Sequence, residues 1–243
     1  MKIIDADYEI MFVDLNDPQV VKDIYNRIET VGRICYKSET SVTDDSAEGF
    51  IRRLIARGHE AMLEHASLTV KFTVDRGVSH EIVRHRLASF AQESTRYCNY
   101  SKGKFGNEIT VIDPVFFKDI SPDEKSLIVG MDPRDGDGDK LTDHELGYYA
   151  WREACNIAED CYMVMLSNGA TPQEARSVLP NSLKTDLVMT ANIREWRHFL
   201  NLRAAGVSGK PHPQMLEVAV PLLNELRMKL PALFDDIHPM EET

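Results

Sequence analysis

Apolar and polar positions alternate most cleanly over Ser67–Asp75, where Leu68, Val70, Phe72 and Val74 face one way and Thr69, Lys71 and Thr73 the other. That period of two predicts a half-buried strand. Further strands are expected over residues 8–15, around Ile10, Phe12 and Val13, and over residues 183–191. Elsewhere the spacing is helical. One helix is predicted from about residue 18 to 31, and another behind Asp44, Asp45 and Ser46, which can cap it, with Phe50, Ile51, Leu54 and Ile55 on one face and Gly58 as its stop. Val78, Ile82 and Val83 predict a helix after Arg76-Gly77. The longest helix should run over 143–167 and end at Asn168-Gly169. Thr171-Pro172-Gln173-Glu174 supplies a cap, a proline at the first helical position and a reciprocal glutamate, so a short helix begins there and ends at Leu179-Pro180. Ile193, Trp196, Phe199 and Leu200 predict the next helix, and a last one over 215–230 contains Pro221, where a kink or break is expected.

Neither an internal repeat nor a linker interrupts this pattern. One mixed domain over residues 1–243 is expected, with an acidic insertion near 131–151. The apolar runs are far shorter than the roughly 20 residues that cross a bilayer, and Met1-Lys2-Ile3-Ile4-Asp5 lacks the apolar stretch of a signal peptide. A cytoplasmic protein is expected. Cys35, Cys98, Cys155 and Cys161 are too scattered for a disulfide framework and read as reduced thiols.

Charge changes the picture. The chain carries 28 basic against 39 acidic side chains, a formal net charge of -11, which argues against broad nucleic-acid binding. Residues 76–104 reverse the balance, with six basic groups against two acidic ones, while residues 105–160 hold fourteen acidic groups against five basic. A compact basic segment in an acidic chain points to a small anionic ligand.

The basic segment holds Arg84-His85-Arg86, followed by Gln92, Glu93, Ser94, Arg96 and Tyr97. Guanidinium groups offer a planar fork of donors suited to phosphate or carboxylate oxygens. The plainer reading of these residues is an exposed, salt-bridged helix face. A second cluster, Gly58-His59-Glu60 with Glu64-His65, invites a zinc reading, yet its histidines are six apart where the metalloprotease pattern needs four, and Arg84 and Arg86 oppose a cation near His85. No metal is expected. The third cluster is Arg176, Asn192, Arg194, Arg197, His198, Asn201 and Arg203, some of which capping and surface pairing would explain. Asp135, Asp137, Asp139 and Asp143 follow part of a calcium-loop spacing, but Lys140 and Leu146 stand where glycine and glutamate are required, so a solvated turn is expected. The sequence has no nucleophile elbow, dinucleotide fingerprint or phosphate loop, and Cys98 is a minor nucleophile candidate.

Arg84-His85-Arg86, then seven residues, then Ser94 and Arg96-Tyr97, resembles the signature of the flavin-dependent thymidylate synthases. Gly58-His59-Glu60 with Glu64-His65, Ala175-Arg176 with Leu179-Pro180, and 192–203 extend the similarity from about His59 to His212. The resemblance implies an α+β fold, a sheet flanked by helices, assembled as a homotetramer with sites shared between subunits. It implies conversion of dUMP to dTMP with methylenetetrahydrofolate as one-carbon donor, NADPH as reductant and FAD as cofactor. By position, Arg84, His85, Arg86, Gln92, Asn192, Ile193, Arg194 and His198 would contact FAD, with His59 near it. Glu81, Arg84, Gln92, Glu93, Ser94, Thr95, Arg96, Arg176 and Arg203 would hold dUMP, and Arg203 would act catalytically by favouring ionisation at uracil N3. Gln92, Ala61 and Glu81 depart from residues common in that family. A nucleic-acid-binding module, a metal-dependent hydrolase and a pyrimidine-modifying flavoenzyme that hands over a different one-carbon group are the competing readings.

Overall fold

A computed structural model of the chain describes residues 1–131 and 140–240. Six strands and nine α-helices occur among the described residues: β1 (Lys2–Ile4), β2 (Asp7–Met11), α1 (Pro18–Tyr36), α2 (Ser46–Ala56), β3 (Ser67–Asp75), α3 (Arg76–Ile82), β4 (Ala88–Gln92), β5 (Thr110–Ile112), α4 (Pro122–Val129), α5 (Asp143–Ser167), α6 (Pro172–Ala175), β6 (Lys184–Asn192), α7 (Ile193–Arg203), α8 (Pro213–Lys229) and α9 (Pro231–Phe234). The expected mixture of helix and sheet is what forms. None of the described helices is long and apolar enough to cross a membrane.

The chain divides into two compact units and passes from one to the other within β3, α3, β4 and β6. The first unit comprises residues 1–6, 73–80 and 92–186. Its parallel pair β1–β5 aligns Lys2 with Thr110 and Ile4 with Ile112. Helix α5 packs Cys155 and Tyr162 into a core with Tyr100, Ile109, Val111, Ala175 and Leu183. Reciprocal caps start its helices: Thr142 with Glu145 for α5, and Thr171 with Glu174 for α6, where the sequence placed one.

The second unit comprises residues 7–72, 81–91 and 187–243. Its strands lie in the order β2-β3-β6-β4. Leu68, Val70 and Phe72 of β3 and Leu187, Met189 and Ala191 of β6 are buried, while on the opposite face Thr69 and Thr190 hydroxyls meet at 2.9 Å. Helix α7 turns Trp196, Phe199 and Leu200 into this core, and the Trp196 indole N–H donates to Leu68 O at 3.1 Å.

Several boundaries differ from the sequence expectation. Strand β2 ends at Met11, four residues early, because Phe12 takes φ 67°, outside the extended region. Helix α1 continues past residue 31 to Tyr36 and ends at Lys37 in the left-handed conformation. Gly32 does not stop it, because the missing side chain makes room for the Phe50 ring. Asp45 makes no side-chain cap, and the Ser46 hydroxyl turns to the buried Glu29 carboxylate at 2.8 Å. Helix α8 is not broken at Pro221, which lies on its exposed side. Strands β1, β4 and β5 and helices α4 and α9 had no sequence expectation. Asp135, Asp137 and Asp139 of the calcium spacing lie outside the described residues, and Asp143 is the first residue of α5.

A Cβ at position 32 would stand 2.5 Å from the Phe50 ring. Alanine would gain about 1 kcal/mol of helix propensity, against an overpacking cost of about 1–3 kcal/mol. Gly32→Ala should therefore lower the urea unfolding midpoint; an unchanged or higher midpoint would show that Phe50 can move aside.

Candidate functional site

Helix α3 stops at Ile82, and the chain then turns tightly, with Arg84 N–H donating to Glu81 O at 3.2 Å and His85 N–H to Ile82 O at 3.1 Å. The turn sends three consecutive side chains to different environments. His85 is only 5% exposed, whereas Arg84 and Arg86 reach solvent. They line a cavity of about 710 Å³ together with Asn192, Arg194, Glu195 and His198 of the β6–α7 junction. Asn192 caps α7 by accepting from Glu195 N–H at 2.9 Å, which puts Arg194 and His198, four residues apart, on one exposed face.

The charges in this cavity are unequal in their pairing. Arg194 donates to Glu64 at 2.6 Å, and Arg197 is committed to Asp236 through two bonds of 2.7 Å, which makes it a structural anchor for α7. Arg84 and Arg86 have no ion pair among the described residues. Two free guanidinium groups in an acidic protein form a wall of donors for an anion with several acceptor oxygens.

Behind that wall, the His85 ring lies edge-on to Phe199 at 4.9 Å and to His198 at 5.6 Å. Arg203 Nε–H donates to His85 Nε2 at 3.2 Å, and its Nη1 bonds the Glu81 carboxylate at 2.7 Å. Burial first, then the Arg203 and His198 charges, push His85 down to about 4. Burial raises the Glu195 carboxyl, with His198 opposing. His85, Glu195 and His198 also place ligand-capable atoms within 4.8 Å of one another, but a cation there would face the fixed charge of Arg203.

Other sequence candidates lie elsewhere. Ile193 is fully buried and its N–H donates to Ala66 O, so its side chain is core. His59 stacks on Tyr36 and lines a separate cavity of about 160 Å³ with Arg33, Arg53 and Arg57. Gln92, Glu93, Ser94, Thr95, Arg96 and Arg176 belong to the first unit. There Gln92 donates to Ser79 at 2.9 Å and to Thr185 at 3.3 Å, while Glu93 accepts from Tyr100 and Lys184, both at 3.0 Å. Arg96 is exposed over the Tyr97 ring, and its N–H donates to Ser94 Oγ at 3.3 Å. Thr95 and Arg176 line a cavity of about 610 Å³ with Arg76 and His80, and no carboxylate lines it. Neither Arg76 nor His80 was assigned to the flavin or nucleotide site from the sequence. Cys98 is a poor nucleophile, because burial raises its thiol above the ordinary value.

Comparison with known proteins gives the same picture from another direction. Residues 19–232 match the family described as thymidylate synthase complementing protein, Thy1. A flavin-dependent thymidylate synthase of Corynebacterium aurimucosum is 32% identical over 218 residues, 87% of this chain and 79% of the relative. One of Mycobacterium avium is 32% identical over 212 residues, 86% of this chain and 78% of the relative. In fold, the chain is similar to a UMP/dUMP methylase, PolB, from Streptomyces cacaoi bound with 5-Br dUMP, with a TM-score of 0.72 at 21% identity over 97% of this chain and 96% of that one.

The depressed His85 value fixes the sign of a pH effect. Above the unfolded value of about 6.5 the imidazole is neutral in both states and contributes no pH dependence. As pH falls from about 6.5 toward about 4, only the unfolded chain takes up the proton, so stability is lost, by at most about 3 kcal/mol. Thermal unfolding of the ligand-free protein and of His85→Asn across that range should show a steeper decline for the unsubstituted protein; parallel curves would place His85 in solvent.

Proposed function

We propose, because the chain belongs to the thymidylate synthase complementing family, that of the flavin-dependent thymidylate synthases, that it converts dUMP to dTMP. In this reading methylenetetrahydrofolate gives the one-carbon unit and NADPH the reducing equivalents, through FAD. The observation that carries it is the pair of guanidinium groups without an ion pair among the described residues, Arg84 and Arg86, beside Arg194 and His198 in the cavity of about 710 Å³. Such a wall suits the pyrophosphate of a flavin dinucleotide. Bound there, the flavin would supply the hydride chemistry that side chains lack.

The chain's own residues then bind, orient and balance charge. Arg84, Arg86, Asn192, Arg194 and His198 would hold the cofactor, with His85, the Ile193 backbone and His59 contributing around it and Gln92 between cofactor and substrate. Glu81, Glu93, Ser94, Thr95, Arg96 and Arg176 would surround the nucleotide, Arg176 and Arg96 taking the phosphate. Arg203, always protonated, would stabilise the anion formed when uracil loses its N3 proton. No enzyme thiol is needed, in keeping with the raised Cys98. We read residues 1–243 as one domain of a cytoplasmic homotetramer, with 131–151 as an insertion and sites completed across subunits.

Purified protein should show a flavin absorbance band that NADPH bleaches, and should form dTMP from dUMP and methylenetetrahydrofolate. A colourless protein, or a uracil product carrying a different one-carbon group, would overturn the assignment. Ser94 is read as a substrate hydrogen-bond partner, so Ser94→Ala should retain measurable dTMP formation, reduced by about tenfold for one lost hydrogen bond. Complete loss with flavin and dUMP binding intact would instead make its hydroxyl a nucleophile.

A further inference from the structure

Glu195 is 5% exposed and lines the cavity, yet neither the sequence motifs nor the functional reading gives it a task. It stands at the third position of α7, where a glutamate ordinarily bonds back to the N-cap N–H. Glu124, Glu145 and Glu174 do this at the starts of α4, α5 and α6, each at 2.8 Å. Glu195 does not: its N–H is capped by Asn192, but its carboxyl leaves the helix start and approaches His85. No lysine or arginine pairs with it among the described residues.

We propose that Glu195 is a positioning residue that fixes the hydrogen of His85 on Nδ1 and so holds the Arg203 guanidinium in one orientation toward the pyrimidine. The tautomer follows from what arginine can do. Its Nε only donates, and it lies 3.2 Å from His85 Nε2, so that nitrogen must be bare. A neutral ring then carries its hydrogen on Nδ1. That atom is buried without a hydrogen-bond partner, and Glu195 Oε1 stands 3.4 Å away, within reach of a small adjustment when a ligand closes the cavity.

The far side of Arg203 is fixed as well. Nη1 donates to the Glu81 carboxylate at 2.7 Å and Nη2 to Glu81 O at 3.3 Å. Three of the five guanidinium hydrogens are thus held, and two remain for a ligand. His85, Arg203 and Glu81 form one hydrogen-bonded line with Glu195 next to its His85 end, and the Phe199 ring packs on the imidazole. The inference rests on the functional reading only in its last link, that Arg203 meets the base.

Glu195→Gln and Glu195→Leu separate the possibilities. The amide oxygen of glutamine accepts from the same Nδ1–H, so Glu195→Gln should keep the dUMP KM within about twofold of the unsubstituted enzyme. Leucine removes the acceptor, and Glu195→Leu should raise the dUMP KM by about tenfold, with flavin occupancy unchanged. An unchanged KM in the leucine variant, an equal defect in both variants, or parallel loss of flavin would overturn the proposal. Stoichiometric zinc in the purified protein, lost in Glu195→Gln, would assign the three residues to a metal instead. The tautomer is measured independently of dUMP in protein labelled with nitrogen-15 histidine: His85 should show a protonated Nδ1 and a bare Nε2. The reverse pattern overturns the proposal, whereas failure to bind dUMP with the expected tautomer sinks only the functional reading.

Discussion

Helix α7 must satisfy two opposing demands on successive residues. Trp196, Phe199 and Leu200 are fully buried, each such side chain contributing roughly 1.5–3 kcal/mol of burial. The same helix carries Arg194, Arg197, His198 and Arg203, which cannot enter that core uncompensated. The helical period puts Arg194 and His198 on an exposed face, Arg197 stays on the buried side where Asp236 compensates it, and the Trp196 bond to Leu68 O fixes the rotation of the helix about its axis. A rotation of the polar face would carry Arg194 and His198 out of the cavity together. The positions of the candidate ligand-binding groups in the second unit follow from this anchoring.

The electrostatics follow from the same anchoring. Arg197, the most deeply buried arginine of the helix, is balanced by Asp236, with further bonds to Glu60 and Leu233 O. Arg203 at the helix end is balanced on one side by Glu81 and on the other leans on a neutral His85. Burial of the imidazole first, and then the Arg203 charge beside it, hold His85 neutral. Arg84 and Arg86, by contrast, reach solvent at the cavity and have no ion pair among the described residues.

Much of the fold was legible because local signals were strong and agreed with the tertiary context. The alternation over β3 and the long periodic run of α5 each named an element within a residue or two, and the reciprocal cap at Thr171 named the start of α6, which ends at Ala175 instead of Leu179 because a 3-10 turn takes over. Elements without a periodic signature escaped. β1 and β5 have three residues each, and β4 consists mostly of small residues. The left-handed φ of Phe12, the Phe50 ring facing Gly32 and the exposed position of Pro221 in an unbroken helix depend on tertiary surroundings that no local pattern carries.

For the site, residue type and spacing were enough to single out Arg84-His85-Arg86 and the 192–203 segment, because guanidinium clusters are costly to pack and therefore conspicuous. The family was legible there too, since its motifs are long and contiguous. Sequence could not tell that His85 is buried between two arginines that reach solvent, that Arg197 is an anchor while its neighbour Arg194 faces the cavity, or that Glu195 turns away from its own helix start. Those distinctions depend on direction. A side chain's direction is set by the rotation of its element against a core, and the chain decides that only when distant segments have packed.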